Sequence, residues 1–187
     1  MDDFQTVRHC TDFLRRKQEK PFFLACGIFH PHLPWYVPRK YLDLFPVDQV
    51  QLPAVPPDDL DDVPKAGRAI ARRKYEYLKK VRDAKKWKSA VAHYLASISY
   101  ADARVGQLLQ GLDESDYAKN TIIILWSDHG WHLGEKEHWH KRTLWHVCTR
   151  IPFIIVAPGT SKAQQRSSQP VSLLDIFPTL IELCGLS

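Results

Sequence analysis

The chain contains 187 residues, of which 44% are hydrophobic and 25% are charged, a balance typical of one globular domain. No apolar run approaches the roughly 18 residues of a transmembrane helix, and the start, MDDFQTVRHC, lacks the basic-then-apolar order of a signal peptide. Much of the basic excess behind the net charge of +5 lies in eleven Lys and Arg residues between 65 and 88. This pattern favours a solvated helical face over a patch that binds nucleic acid or another polyanion.

The four cysteines are scattered and include no C-x-x-C pair: Cys10, Cys26, Cys148 and Cys184. They indicate neither a zinc knuckle nor a dense disulfide framework. The redox compartment and the cellular location stay open on the sequence alone.

The chain begins with a helical pattern and a short apolar run. Apolar residues between Phe4 and Leu14 recur at helical spacing, and the basic residues 15–17 suit a helix C-terminus, so residues 3–18 are predicted to form an amphipathic helix. The run PFFLACGIF follows, and we predict a core strand over residues 22–27.

Proline dominates the next part of the chain, from His30 to Pro57. Because proline removes backbone donors, residues 30–65 are predicted to form an extended surface segment with a short helix near Arg39 to Leu44, inside a single domain spanning residues 1–187. Helical structure is expected to resume near Ala66 and to break or bend between residues 83 and 88.

The clearest helix is predicted over about residues 89–112, where apolar side chains form one stripe: Val91, Tyr94, Leu95, Ile98, Ala101, Val105, Leu108, Leu109 and Leu112. Two apolar strands follow, residues 122–125 and the run IPFIIVAPG, and the final helix is interrupted or started at Pro178. This order predicts an α/β fold with parallel strands joined by a crossover helix. Three strands make a thin sheet, so we expect the chain to be part of something larger.

Asp128 and His129 follow directly after the strand at residues 122–125, where ligands of open α/β sheets usually bind. A carboxylate suits hard cations, and imidazole suits zinc or other borderline metals better than calcium. Two adjacent residues cannot complete a metal site, so further ligands have to come from elsewhere. The alternative is a hydrogen-bonded turn of the kind that Asp favours.

The loop from Trp131 to His146 concentrates histidine, tryptophan and lysine. His138 and His140 alternate about Trp139, which is not the i, i+4 spacing of a helical zinc motif, so most of these histidines are predicted to be surface or packing residues. Lys141 differs, because its fixed charge beside a metal and an imidazole can stabilise an anionic transition state.

The motif HPHLPW places two more imidazoles, His30 and His32, directly after the first predicted strand. Its prolines stiffen the backbone and fix the direction of both rings. The two strands would thus place histidine, aspartate and lysine side chains at the same edge of the sheet. The alternative is that His30 and His32 only cap a proline turn.

Three motifs in one order carry a resemblance to a known family: HPHLPW, YLASISYADARVGQLL and SDHGWHLGEKEHWHK. Together they resemble the type I sulfatases of the alkaline-phosphatase superfamily, most closely the branch that includes iduronate-2-sulfatase and choline-sulfatase. S-D-H-G is shared with zinc phosphodiesterases and phosphatases, whereas G-E-x-x-x-W-x-K, from Gly134 to Lys141, favours sulfatase. The resemblance implies part of an alkaline-phosphatase-like α/β sandwich with a mostly parallel sheet flanked by helices.

The resemblance also implies roles for four residues. Asp128 and His129 match a pair that completes a calcium, or sometimes magnesium, site. Because calcium prefers oxygen ligands, direct coordination by His129 is less secure than by Asp128. His129 would otherwise contact the ester. Lys141 matches a sulfate-binding lysine, and His32 matches a histidine near the leaving oxygen, while His30 has no such match.

The nucleophile of this family is a formylglycine made from Cys or Ser in a C/S-x-P/A-x-R motif, and no such motif occurs in the sequence. The early Asp-Asp metal pair of the family cannot be assigned to Asp2 and Asp3. We therefore expect a later part of a sulfatase catalytic domain, without sulfatase turnover on its own.

The expected partner is a sulfated small molecule or glycan. A metal-dependent phosphodiesterase or phosphatase and a catalytically inactive sulfatase-like binding module are the two alternatives. Trp35, Trp131 and Trp139 would either stack against a sugar or pack inside the domain. The oligomeric state stays open.

Overall fold

The computed structural model describes residues 2–186. Within this range the helices are α1 (Asp3–Leu14), α2 (Arg39–Leu42), α3 (Lys65–Arg72), α4 (Tyr75–Asp83), α5 (Trp87–Asp113), α6 (His146–Thr149) and α7 (Ile176–Leu183). The strands are β1 (Ile123–Trp126), β2 (His132–Leu133), β3 (Trp139–His140) and β4 (Phe153–Val156).

The helices confirm most of the helical predictions. Asp2 caps α1 by accepting a 2.9 Å hydrogen bond from the Gln5 N–H, as N-cap carboxylates do. The predicted break at residues 83–88 separates α4 from α5 and passes through Lys85, which has a φ of 54°. A second break, between α3 and α4, had no counterpart in the sequence prediction.

The long helix α5 has the predicted position but buries a different face. Val91 and Leu112 are buried as predicted, whereas Ile98 and Leu109 of the same stripe are exposed. The other buried residues of α5 lie outside the predicted stripe, at Ala92, Ala96, Ser97, Tyr100 and Gly111. One reason is that α1 packs against α5 near Gly111, whose missing side chain leaves room for Thr11. Within residues 2–186 the stripe is only partly covered.

Both strand pairs of the described chain are antiparallel. β1 pairs with β4, with Ile123 opposite Val156 and Trp126 opposite Phe153, and the short β2 pairs with β3. The expected parallel alignment is therefore not found within residues 2–186. Residues 22–27, predicted as a core strand, are extended with alternating exposure but join no ladder, because no partner strand lies beside them in the described chain.

The proline-rich segment is largely irregular and contains the predicted short helix as α2. It is not only a surface segment, since Tyr41, Val50, Leu60 and Val63 are buried. The main apolar cluster joins this segment to the helices and to the loop after β1, through Val50, Leu78, Val91, Ala92, Trp131, Leu133 and Trp139. The core thus fixes the loop that contains the candidate site residues.

None of the helices between residues 2 and 186 is both long enough and apolar enough to cross a bilayer.

Candidate active site

The turn after β1 is held against α6 by main-chain hydrogen bonds. The Gly130 N–H donates to the Cys148 carbonyl at 2.8 Å, and the Trp131 N–H donates to the Val147 carbonyl at 3.0 Å. A Cβ at Gly130 would overlap the Val147 carbonyl oxygen, so this approach requires glycine. The backbone on the C-terminal side of Asp128 and His129 is therefore fixed without any ligand.

The side chains of Asp128 and His129 face each other at the end of β1. Asp128 Oδ2 lies 3.4 Å from His129 Nε2, and the Asp128 side chain is 74% exposed. His129 Nδ1 donates to the Gly130 carbonyl at 2.8 Å, which leaves the lone pair of Nε2 directed to this side of the ring. In the described chain the Asp128 carboxylate accepts no hydrogen bond from a main-chain N–H, so the predicted alternative of a hydrogen-bonded turn is not found.

The chemistry of these two side chains fits a divalent cation. Two lone-pair donors that face each other repel unless a proton or a cation lies between them, and ligands at about 2.3–2.6 Å from one ion are typically separated by about this distance. Among residues 2–186 there is no cluster of three or more His, Cys, Asp or Glu side chains that could hold a metal ion. Asp128 and His129 do not complete a metal site within these residues, and their role as ligands stays a prediction.

His32 lies close to the same turn. Its Nδ1 donates to the Leu33 carbonyl at 2.8 Å, and its ring centroid is 5.6 Å from that of Trp131. Because Nδ1 is engaged, Nε2 is the nitrogen that remains for proton transfer to or from a bound molecule.

The ring of Trp131 contacts three histidines of the candidate site. Its ring centroid is 5.6 Å from His32, 6.4 Å from His129 and 4.9 Å from His140. The indole itself is buried against Tyr94 and Trp35. The structure thus brings together two site residues that lie almost 100 positions apart in the sequence.

Lys141 sits in an unusual stretch of backbone. His140 and Arg142, on either side of it, both have a φ of 77°, which costs free energy for residues with a side chain and is found preferentially at functional sites. The Lys141 side chain lines a cavity of about 220 Å³ together with Arg73, Lys74, His138 and Arg142. A larger depression of about 510 Å³ at residues 61–68 includes none of the site residues.

His138 is buried and connects Lys141 to the helical region. Its Nδ1 lies 2.6 Å from the Ala71 carbonyl oxygen, and its Nε2 lies 3.0 Å from the Lys141 carbonyl oxygen. Both partners are main-chain carbonyls, one on α3 and one in the site loop. His138 therefore fixes the backbone of Lys141 relative to α3.

Two further histidines of the loop are held neutral. Burial lowers the pKa of His132 to about 4, against the opposing effect of its hydrogen bond to the Glu135 carbonyl. Burial also lowers the pKa of His140 to about 4, and the positive charges of Lys74, His138, His32 and Lys141 lower it further. Lys141 and His32, the predicted ester-binding residues, are thus among the groups that lower the pKa of His140.

Several residues have roles that the sequence did not reveal. His30 pairs with buried Asp3 at 2.7 Å, and Asp3 also accepts hydrogen bonds from the Phe29 and His30 N–H groups, so this pair ties α1 to the extended segment. His140, Arg73 and Lys74 were predicted as packing or solvated residues, yet they surround Lys141. Trp131 and Trp139 are buried, which confirms the packing alternative for these two rings.

Comparisons with known proteins identify the family of the chain. The family model described as Sulfatase matches residues 1–186. A sulfatase of Formosa agariphila is 40% identical over 100% of the chain and 37% of its own length. Human iduronate 2-sulfatase is 28% identical over 100% of the chain and 40% of its own length, and choline-sulfatase of Rhizobium meliloti is 33% identical over 98% and 35%.

Solved structures show the same fold. BT4656, in complex with its substrate D-glucosamine-2-N,6-O-disulfate, superposes with a TM-score of 0.79 at 22% identity and covers 99% of this chain and 49% of its own. BT1596, a 2-O GAG sulfatase, gives a TM-score of 0.71 at 18% identity, with 99% and 42% covered. The chain has the α/β fold of these proteins and spans well under half the length of the curated relatives that match it.

The fold and the family match define an α/β protein of the alkaline-phosphatase-like class. Within that class, the chain belongs to the sulfatase family.

Proposed function

We propose that this chain supplies the later half of a sulfatase active site and acts in the hydrolysis of sulfate esters. The contacts of His32 and His129 with Trp131 support this proposal most directly, and Lys141 follows His140, which contacts the same ring. The nucleophile is a formylglycine in the part of the catalytic domain that these residues do not contain. The enzyme thus requires both parts.

Asp128 and His129 would hold a divalent cation, with calcium favoured by the carboxylate and magnesium as the other candidate. When bound, the cation neutralises charge on the sulfate oxygens. His129 offers Nε2 because its other nitrogen is engaged with Gly130, and the exposed carboxylate of Asp128 is free to coordinate.

Lys141 and His32 act on the ester itself. The ammonium group of Lys141 binds the anionic sulfate and stabilises the charge that develops on its oxygens. His32 Nε2 donates a proton to the leaving oxygen, while Nδ1 stays bonded to the Leu33 carbonyl and keeps the ring in place.

The substrate class is a sulfated carbohydrate. BT4656 was solved with a sulfated glucosamine, and several relatives are named for sulfated sugars or for choline sulfate. A cationic loop beside the site suits such an anionic substrate.

The test compares the enzyme that joins this chain to the nucleophile-bearing part of a sulfatase domain with its Lys141→Met and Asp128→Asn variants. We expect release of sulfate from a sulfated hexosamine to fall by at least about a hundredfold in each variant, because each removes charge stabilisation of the transition state. Lys162→Met, an identical change in an exposed loop, is the matched control and should leave the rate unchanged.

Two parallel assays separate the alternatives. Faster hydrolysis of a phosphate ester than of the matching sulfate ester would favour a phosphodiesterase or phosphatase, and failure to hydrolyse either would favour a binding module. The 187-residue chain alone is expected to release no sulfate, and turnover by this chain would contradict the proposed division of the site.

A further inference from the structure

A basic cavity lies beside the candidate ester site. Arg73 and Lys74 reach it from the break between α3 and α4, and Lys141 and Arg142 reach it from the site loop. The buried ring of His138 forms another part of the wall and connects the two elements through its bonds to Ala71 and Lys141. The cations thus come from segments about 70 residues apart in the sequence but fixed to each other.

These cations have no acidic partner inside the described chain. Other basic side chains nearby are paired, as Arg72 is with Glu137 and Lys79 is with Asp83. Across residues 2–186, no Asp or Glu carboxylate pairs with Arg73, Lys74, Lys141 or Arg142, and no acid lines the cavity. Four clustered positive charges without a counter-ion favour an anionic ligand.

The size of the cavity limits what enters it. Its volume of about 220 Å³ is below the roughly 300–1,000 Å³ of sites that enclose a whole drug-sized ligand. It is nevertheless several times the roughly 30 Å³ that one water molecule occupies in the liquid. This volume is sufficient for a single tetrahedral or planar oxyanion.

A chain of ring contacts connects the cavity to the candidate ester site. Lys74 Nζ lies 5.0 Å from the centre of the Tyr77 ring, and Tyr77 meets the edge of His140 at 5.0 Å. His140 in turn contacts Trp131, which contacts His32 and His129. Two ring contacts, Tyr77 with His140 and His140 with Trp131, therefore connect the cavity side of the loop to the ring that contacts His32 and His129.

We propose that the cavity of Arg73, Lys74, Lys141 and Arg142 binds a second anionic group of the substrate. The preferred substrate is then a saccharide with two anionic groups, the scissile sulfate ester and a neighbouring sulfate or carboxylate. This inference rests on the proposed function, since Lys141 borders both the ester site and the cavity. Arg73 and Lys74 discriminate between substrates and take no part in the chemical step.

The experiment compares one hexosamine in its monosulfated and disulfated forms on the complete enzyme. We expect kcat/KM to be roughly tenfold higher for the disulfated form, in line with one charge-assisted hydrogen-bonded contact. The double variant Arg73→Gln with Lys74→Met should lower kcat/KM for the disulfated form more than for the monosulfated form and so remove this preference. The matched control, Arg72→Gln with Lys79→Met, removes the same charge from the same helical region at paired positions and should keep the preference.

The outcomes separate this inference from the proposed function. Equal kcat/KM for both forms in the unaltered enzyme would overturn the second anion site while sulfatase activity stands. An equal loss on both forms in the cavity variant would also overturn it, because the cavity would then serve the scissile sulfate. Absence of turnover with either form would refute the proposed function itself.

A binding measurement provides a readout that does not depend on turnover. The disulfated hexosamine should raise the Tm of the complete enzyme more than the monosulfated form at the same concentration, since tighter binding to the folded state stabilises it more. The cavity variant should show equal shifts. Equal shifts in the unaltered protein would contradict the inference.

Discussion

The loop from Gly130 to Lys141 is hydrogen-bonded to other parts of the described chain. The main chain of the extended segment at residues 21–28 is not. In the loop, His132, His138 and the main chain of Gly130 all find hydrogen-bond partners inside residues 2–186. In the extended segment no residue makes a main-chain hydrogen bond within that range, and Phe23 is 82% exposed. The loop therefore finds most of its hydrogen-bond partners within the described chain, although the buried Nε1 of Trp131 has none there, whereas the segment at residues 21–28 finds no main-chain partner.

This contrast explains why the site loop keeps a defined geometry in a chain that spans only part of a sulfatase. The loop is fixed by α3, α6 and the apolar cluster, all of which belong to the chain. The four predictions below test the contrast by changing residues of the loop and then of the extended segment.

The largest effect is expected for Gly130→Ala. The added methyl group would overlap the Val147 carbonyl and force apart two main-chain hydrogen bonds, so we expect the free energy of unfolding to fall by more than about 3 kcal/mol. Urea unfolding followed by circular dichroism measures this change.

Gly106→Ala is the control for that substitution. Gly106 lies inside α5, and an added methyl group there would meet no other atom within 4 Å, so alanine should raise the free energy of unfolding by about 0.5–1 kcal/mol. A loss of stability similar to that of Gly130→Ala would show that the close approach to α6 is not the cause.

His138→Ala should be the next most damaging change. It leaves the Ala71 and Lys141 carbonyls without a donor in a buried region and is expected to cost about 2–3 kcal/mol. His93→Ala, which removes one bond to the Ser89 carbonyl on α5, should cost about 1 kcal/mol in the same urea titration. Equal losses for both variants would argue against a bridging role for His138.

The pH dependence of stability follows from His132. Its pKa is lowered from 6.5 to about 4, so folding favours the neutral ring. The contribution of His132 to the free energy of unfolding is therefore complete above pH 6.5, and it is lost as the pH falls from 6.5 towards 4. Urea midpoints at about pH 7 and pH 5 should differ less in His132→Gln than in the unaltered chain, and an unchanged difference would contradict this account.

The smallest effect is expected in the extended segment. Phe23→Ser changes a side chain that is 82% exposed in the chain alone, so the free energy of unfolding of the 187-residue chain should stay within about 0.5 kcal/mol. A loss as large as that of His138→Ala would show that the segment is packed and would remove the contrast between the two regions.

Local patterns were sufficient to predict the helices and the apolar strand before Asp128. Helical spacing predicted α1 and α5, and the apolar run of β1 predicted that Asp128 and His129 follow directly after a strand. Their two side chains face each other there. These features depend on neighbours within a few residues.

Features that depend on distant contacts were not predicted. The buried face of α5 is determined by α1, and the parallel pairing expected for residues 22–27 requires strands outside the described chain. Arg73 and Lys74 resembled the rest of a solvated basic segment, and distant contacts such as the bond from His138 to Ala71 and the pair of Arg72 with Glu137 place them beside Lys141. No spacing rule connects a helix break with a loop about 70 residues later.

The bare backbone edge at residues 21–28 has a practical consequence for work with the isolated polypeptide. Unpaired amide and carbonyl groups on an extended segment recruit any strand that presents a matching edge. At high concentration the nearest such strand belongs to another copy, so self-association competes with correct assembly. Under the proposed division of the active site, co-expression with the nucleophile-bearing part of a sulfatase domain would offer that edge a competing partner.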